Sequence, residues 1–322
     1  MFDSKKNLFL LPLFACCFFL SVVNSFGQSR KYFGQFSNLK SYLNPSLAGY
    51  EGSSIRSFYR NQWAGFDGAP QTFLISADLD FAEAKGSVDS DLTGKNGFSL
   101  NILGDSYGPF KENEIILGYA SRIRISENAN IRLGAGVNFN SHELDGFNLT
   151  TEQSNDPTIL PYQGRFSKMN FLDFNLGIAL THQNYFVSYA VHNVSQGKIS
   201  GGDSFIGERA PVGIFHAGYR NEITEQVSFS SSFLYRSQKN LPGNTELNAK
   251  FILNEWIWFG AGHRFSYANN FQFGLLFSKF KMGYVYEVPL AKSYLLPYPS
   301  HEFMLTFFLF KKNEDTNYSM IW

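Results

Sequence analysis

The chain has 322 residues, with 27 Lys and Arg balanced by 27 Asp and Glu, so its formal net charge is +0 at pH 7. That balance excludes a nucleic-acid binder working through a basic surface, and it excludes a disordered acidic tail. Hydrophobic residues make up 44% of the chain, yet mean hydropathy is only −0.18, so apolar side chains are interleaved with polar ones and not gathered into spans. Thirty-five Phe, 17 Tyr and 28 Gly suit strands with an aromatic face and close-packed turns, not a helical bundle.

In chain order, the first element is an apolar run, residues 8–23, preceded by Lys5 and Lys6 and followed by Ser25, Phe26 and Gly27. This pattern predicts a secretory signal over residues 1–27, cleaved before Gln28. A retained anchor is the alternative, disfavoured because the run falls short of about twenty residues. Lipidation at Cys16 is disfavoured because Phe14 is bulky where that signal wants a small residue. Both cysteines, Cys16 and Cys17, lie in this segment. A mature chain without them has no disulfides and no thiolate metal sites.

Residues 28–53 are polar and loop-like, without a helical period, and read as an N-terminal periplasmic or plug segment. Strand candidates then follow in succession. Residues 131–140 show the pattern most clearly: Ile131, Leu133, Ala135, Val137 and Phe139 alternate with Arg132, Gly134, Gly136, Asn138 and Asn140. One face of such a strand suits hydrocarbon, and the other needs water or polar partners. About ten residues, tilted, span a bilayer core. The alternation recurs at 54–63, 72–81, 97–104, 114–125, 172–180, 185–193, 213–220, 227–236, 246–253, 256–265, 271–278, 280–287 and 301–310, about fourteen strands in all. Nearly every one keeps a fully apolar face, which a soluble sandwich would not require. The fold class expected is all-β: a transmembrane antiparallel β-barrel of the bacterial outer membrane over residues 54–310, with a tail at 311–322.

The connections support this reading, because outer-membrane barrels alternate short periplasmic turns with longer extracellular loops. Residues 141–170 and 194–211 read as long loops, 238–245 as a medium one, and 182–184, 222–226 and 254–255 as short turns. Residues 82–96 are long on the periplasmic side, so either they make an excursion or the first hairpin is miscounted. Trp63, Trp256, Trp258, Tyr219, Tyr235, Tyr284 and Tyr286 fall near strand ends, where an aromatic girdle would lie. The lumenal parity carries Arg132, Asp173, Arg236, Glu246 and Lys250. Such a mixed-sign lumen either closes itself through ion pairs or forms a weakly selective channel.

Catalytic and metal motifs are not apparent. The six histidines, His142, His182, His192, His216, His263 and His301, show no zinc-helix spacing. Gly134 and Gly136, like Gly260 and Gly262, lie within strands and lead into no phosphate-cradling helix. The chain is read as a non-enzyme, with no cofactor and no metal site.

Several short motifs carry a resemblance. They are Asn44-Pro45-Ser46-Leu47-Ala48-Gly49; Tyr59-Arg60-Asn61-Gln62-Trp63 with Gly68-Ala69-Pro70-Gln71-Thr72; Asp105 with Gly108; Tyr119-Ala120-Ser121-Arg122-Ile123; residues 256–264; and Ser300-His301-Glu302. In this order they resemble the PorP/SprF family of type IX secretion outer-membrane proteins of Bacteroidetes. Two departures are mild: Tyr286-Glu287 stands where the family tends to have Tyr-Asp, and Ser46-Leu47 where it tends to have Ala-Tyr. The resemblance implies a barrel that helps deliver or anchor secreted proteins, such as gliding adhesins with a type IX C-terminal signal. Its implied partners are that cargo, other secretion components including the periplasmic ring, and outer-membrane lipid. A channel for small or hydrophobic solutes is the alternative. The loops at 141–170 and 194–211 are long enough to form a docking surface.

Overall fold

The computed structural model describes residues 31–84, 96–149, 156–207, 209–290 and 296–310. The expected signal segment, the cysteines, most of the 82–96 connection and the tail at 311–322 lie outside the described residues. The strands are β1 Ser54–Asn61, β2 Gln71–Asp80, β3 Asn96–Tyr107, β4 Phe110–Arg124, β5 Ala129–Asp145, β6 Phe166–His182 and β7 Tyr185–His192. They continue with β8 Ile199–Gly202, β9 Val212–Thr224, β10 Val227–Gln238, β11 Leu241–Leu253, β12 Ile257–Arg264, β13 Ala268–Leu276, β14 Phe280–Pro289 and β15 Ser300–Phe308.

All pairings are antiparallel, and β1 joins β15 over eight residues to close a 14-strand barrel. The short β8 is extra; it comes from the β7–β9 connection and pairs with β6. Closure removes the exposed edges that an open sheet of this size would present. The first hairpin is correctly counted, since β1 pairs with β2 and β2 with β3.

Strand parity decides what faces the lipid. On β5, Ile131, Leu133, Val137 and Phe139 are exposed on the outer surface while Arg132, Asn138 and Asn140 are buried inside. The row Ile131 to Phe139 is about 27 Å long at the usual strand rise, enough to cross the apolar band at a barrel tilt. Above it the outer row turns polar: Lys111 sits opposite Glu143 and Glu143 opposite Lys168, marking the headgroup level. The expected 141–170 loop shortens because β5 and β6 run past this level, leaving 146–165 as the connection. The expected medium loop at 238–245 is a tight turn at Lys239 and Asn240, with Asn240 at φ 64. At the opposite end, Asn254 (φ 46) and Glu255 (φ 59) form a two-residue hairpin turn whose left-handed pair matches the strand twist.

One girdle expectation is corrected. Trp258 lies on the inward parity of β12 and is 1% exposed, packed across the bare backbones of Gly274 and Gly283. Trp256, Tyr219, Tyr235 and Tyr286 face outward, as expected of a girdle.

Candidate functional site: a filled lumen and an extracellular rim

Residues 33–53 carry the features that distinguish this barrel. They contain three short helical turns, Phe36–Asn38, Lys40–Leu43 and Pro45–Leu47, and every residue of the segment is buried. Their partners surround them. Phe33 packs edge-on to Phe58 of β1 at 5.3 Å and under Arg236 of β10 at 5.7 Å. The Gly34 carbonyl accepts from Asn248 of β11 (2.7 Å) and Gln272 of β13 (3.3 Å). Phe36 meets His216 of β9 at 5.6 Å, and Asn38 accepts from Lys281 of β14 at 2.9 Å. Ser41 donates to Asp78 of β2 (3.1 Å), and Tyr42 to Glu114 of β4 (2.9 Å). The Leu43 carbonyl meets His192 of β7 at 2.9 Å, and Asn44 donates to the Ile178 carbonyl of β6 at 3.4 Å. With β5 and β15, described below, hydrogen bonds and ring contacts tie the segment to twelve of the fourteen barrel strands, which a chain can do only from inside the closed wall.

Apolar packing accompanies these bonds. Phe33, Phe36, Leu39, Tyr42 and Leu43 cluster with Phe58, Leu74, Leu103, Ile116, Ile214, Leu234 and Met304, all on inward positions of the wall. Burying each such side chain stabilises the closed state by about 1.5–3 kcal/mol. The lumen therefore contains a packed core and is not an aqueous pore.

Two groups of motif residues hold the segment. The first lies at the half of the barrel that carries the longer connections 146–165 and 193–211, across the closing strands. Arg60 of β1 is in register with Glu302 of β15 and with Thr72 of β2, and Thr72 is in register with Asp105 of β3. Arg60 ion-pairs with Glu302 and bonds Glu287 at 2.7 Å, while Thr72 donates to Asp105 at 2.6 Å. Arg264 extends the network to Glu287 (3.0 Å) and Glu246 (3.1 Å). The carboxylate of Glu302 also accepts the Gly34 N–H (2.7 Å) and the Gln35 N–H (3.0 Å), so it joins segment to wall. Gln62 accepts from Arg60 at 3.4 Å.

The second group seats the Asn44 to Gly49 turn. The Asn44 side chain caps the Pro45–Leu47 turn by accepting the Ser46 N–H at 2.9 Å, with Pro45 at its first position, where a missing N–H costs nothing. Arg132 of β5 donates to the carbonyls of Ser46 (2.8 Å) and Ala48 (2.6 Å). Gly134 of β5 sits opposite Gly177 of β6. A Cβ on Gly134 would collide with the Pro45 and Ser46 backbone, and one on Gly177 with the Asn44 side chain. These in-strand glycines form the trough in which the turn lies. Gly49 has φ +65 against the Leu79 and Asp80 backbone, a conformation that favours glycine.

Between the two groups, Glu51 accepts from Lys40 and ion-pairs with Arg56 at 2.6 Å, and Arg56 also pairs with Asp78. Burial pushes the Glu51 carboxyl up, but Lys40 and Arg56 outweigh it and hold its pKa at about 2. Burial lowers the Lys40 ammonium to about 8 against the pull of Glu51. The lumenal charges read from the sequence are thus engaged. Arg132 and Lys250 bind the segment, Arg236 covers Phe33, and Glu246 pairs with Arg264. Asp173 accepts Ser195 N–H (2.8 Å) and Gly197 N–H (2.9 Å), fixing the β7–β9 connection over the mouth.

The remaining motif residues shape the rim or face lipid. Trp63 (φ 53) donates its N–H to Ser300 Oγ at 3.2 Å. Pro70 accepts the Gln62 N–H at 2.9 Å, and Ala69 donates to Phe66 at 3.2 Å within the same turn. Gly68 (φ 71) accepts from Gly108 (φ 52) at 3.0 Å, joining two neighbouring turns. Tyr59 and Tyr119 point outward, and His301 contacts Tyr284 at 2.8 Å. The two long connections are cross-tied: Tyr162 donates to the Ser204 carbonyl (2.9 Å), Arg165 pairs with Asp203 (3.3 Å), and Asp203 accepts the Lys168 N–H (3.0 Å). Exposed Phe147, Leu160, Phe166 and Ile199 surround this structure.

A closed, even-stranded antiparallel barrel with an apolar outer surface and a polar, occupied interior is an outer-membrane β-barrel protein. The family model described as type IX secretion system membrane protein PorP/SprF matches residues 25–307, and the chain belongs to that family. It is a type IX secretion membrane component of the outer membrane, in a family of barrels and not of enzymes. No curated protein sequence matches it. Among solved structures, it is similar to CdiB from Acinetobacter baumannii (8% identity, TM-score 0.42), covering 79% of this chain and 59% of that one, so it spans less than two thirds of that protein. It is also similar to the outer membrane protein Omp33 of Acinetobacter baumannii (7% identity, TM-score 0.45), covering 80% and 97% of the two chains. A third similarity is to the Ralstonia pickettii toluene transporter TbuX (10% identity, TM-score 0.44), covering 82% and 90%.

Proposed function

We propose that this protein is a sealed anchor of the type IX system, which helps deliver or retain secreted proteins at the cell surface through its extracellular face. The observation that carries the reading is the lumen occupied by residues 33–53, tied to twelve strands and packed around an apolar cluster. Transport of solute through the wall would require that core to leave. The cross-tied connections on β5, β6 and β8 supply the docking surface, and binding sites on loops braced by a rigid scaffold are a common arrangement. The partners of this reading are secreted cargo bearing a type IX C-terminal signal, and at the opposite end the periplasmic ring.

The test compares surface-exposed and released proteins in the native strain and in a deletion of this gene, with outer-membrane integrity checked. Loss of one or a few type IX cargo proteins from the surface, with their appearance in the medium, supports anchoring and names the partner. Unchanged cargo together with reduced uptake of a solute overturns it in favour of a channel.

A further inference from the structure

We infer that a notch in the lipid-facing wall binds the phosphate-bearing headgroup of a membrane lipid, with Gln71, Ser106, Lys111 and Asn113 around the phosphate and an acyl chain below it. The notch, of about 270 Å³, opens on the outside of β1 to β4 beside Gly104. Register places its walls. Tyr59, Phe73, Gly104 and Asn113 stand side by side on neighbouring strands, so the missing side chain of Gly104 leaves a gap between Phe73 and Asn113. One outward step further from the membrane centre lie Gln71, Ser106 and Lys111, and one step nearer lie the exposed Ile75, Ile102 and Ile115. Neighbouring strands are about 5 Å apart and outward steps about 7 Å, so a polar cluster and an apolar row meet here within the length of a headgroup and the start of its chain.

The fold itself does not ask for this glycine. Gly104 has no positive φ, and a Cβ there would meet only Asn113 Oδ1 at 3.6 Å, an ordinary contact. Gly134 and Gly177 differ, because the Asn44 to Ser46 turn fills the space above them. A glycine inside a strand weakens it, and close approach of a ligand is one of its recurring uses. The side chains of Gln71, Ser106, Lys111 and Asn113 make no hydrogen bond or ion pair with a described residue. Asp105 also lines the notch, but its carboxylate accepts from Thr72 on the lumenal parity. On the outer surface Lys111 shares a row with Glu143 and Lys168, two cations to one carboxylate. An ammonium, a hydroxyl and two amide groups suit the several acceptor oxygens of a phosphate. A soluble anion would use only this polar half, whereas a lipid also covers the isoleucine row.

The test applies native mass spectrometry to the full chain in a phosphate-free detergent. The probe is phosphatidylglycerol, compared with diacylglycerol of the same chains and with inorganic phosphate. The expected result is a single retained phosphatidylglycerol, with each comparison retained about tenfold less, the scale of one charge-assisted hydrogen bond. Lys111→Met and Gly104→Leu should each lower lipid retention about tenfold, with heat-modifiable electrophoretic mobility confirming an assembled barrel. Gly104→Leu adds an apolar side chain to a lipid-facing row, so assembly should survive it. Lys239→Met, at the exposed turn between β10 and β11, should leave retention unchanged. Retention unaffected by Lys111→Met or Gly104→Leu, or lowered equally by Lys239→Met, means general attraction of lipid to the wall and overturns the inference. Equal retention of diacylglycerol overturns the role of the phosphate, and equal retention of inorganic phosphate overturns the role of the lipid.

Discussion

Arg60→Met isolates the buried network at the closing seam. Among the described residues Glu302 ion-pairs with Arg60 and accepts from two backbone donors, Gly34 and Gln35, whereas Glu287 is held by both Arg60 and Arg264. Removing Arg60 leaves Glu302 buried at 0% exposure without its cation, beside a second carboxylate. Breaking one side of a buried pair costs about 3–5 kcal/mol, so a loss of that order is expected. Glu302→Gln is milder: Arg60 keeps Glu287, the amide oxygen can still accept one N–H, and the expected cost is about 1–2 kcal/mol. The double variant R60M/E302Q removes the orphaned charge and should be more stable than R60M alone, a coupling that a double-mutant cycle reads directly. Denaturant unfolding in lipid vesicles, with heat-modifiable electrophoretic mobility as a check on barrel assembly, measures all three. A neutral R60M, or a double variant less stable than the sum of the singles, would refute the reasoning.

Other outcomes are expected elsewhere in the barrel. Gly134→Val places a side chain where the Pro45 and Ser46 backbone runs and should displace the turn, so conductance in planar bilayers should rise from near zero while the barrel still assembles. Silent bilayers from a well-folded variant would contradict the seating of the turn. Because the Glu51 pKa is lowered to about 2 from 4.5, its contribution is fully present above about pH 4.5 and is lost as pH falls through 2. The unfolding midpoint should therefore drop between pH 5 and pH 3, and Glu51→Gln should flatten that drop; an unchanged slope would show that Glu51 does not drive it. Deleting residues 150–163, of which 150–155 lie outside the described residues, should release the surface partner without altering barrel assembly. Unchanged retention would remove this connection from the docking surface. Arg165→Ala should cost under about 1 kcal/mol, because its pair with Asp203 is solvent-exposed, and a larger loss in vesicle unfolding would contradict that reading.

The strands were legible because alternation is a local property. A residue's parity along a strand decides whether it meets lipid or lumen, so Ile131 to Phe139 could be assigned before any partner strand was known. The same rule, applied to all residues, contained the signal of a filled lumen. Phe58, Leu74, Leu103, Ile116, Ile214, Leu234 and Met304 break the polar inward rows, and a water-filled pore would not need them. Nearness to a strand end suggests a girdle place for Trp258, but its inward parity on β12 decides its position. The 141–170 loop was overestimated because polar outward residues beyond the membrane surface, such as Ser141 and Glu143, look like loop although they remain paired in β5.

By itself the sequence determined an antiparallel barrel of about fourteen strands, its lipid-facing rows and the motifs that place it in its family, since each depends on short-range pattern. The tertiary structure alone decided what those motifs do. Arg60 and Glu302 are separated by 242 positions and meet only because the first strand closes on the last. Residues 33–53 have no periodicity of their own; their carbonyls and short turns are stable only where a surrounding wall supplies the donors and the apolar contacts that such a segment cannot make alone.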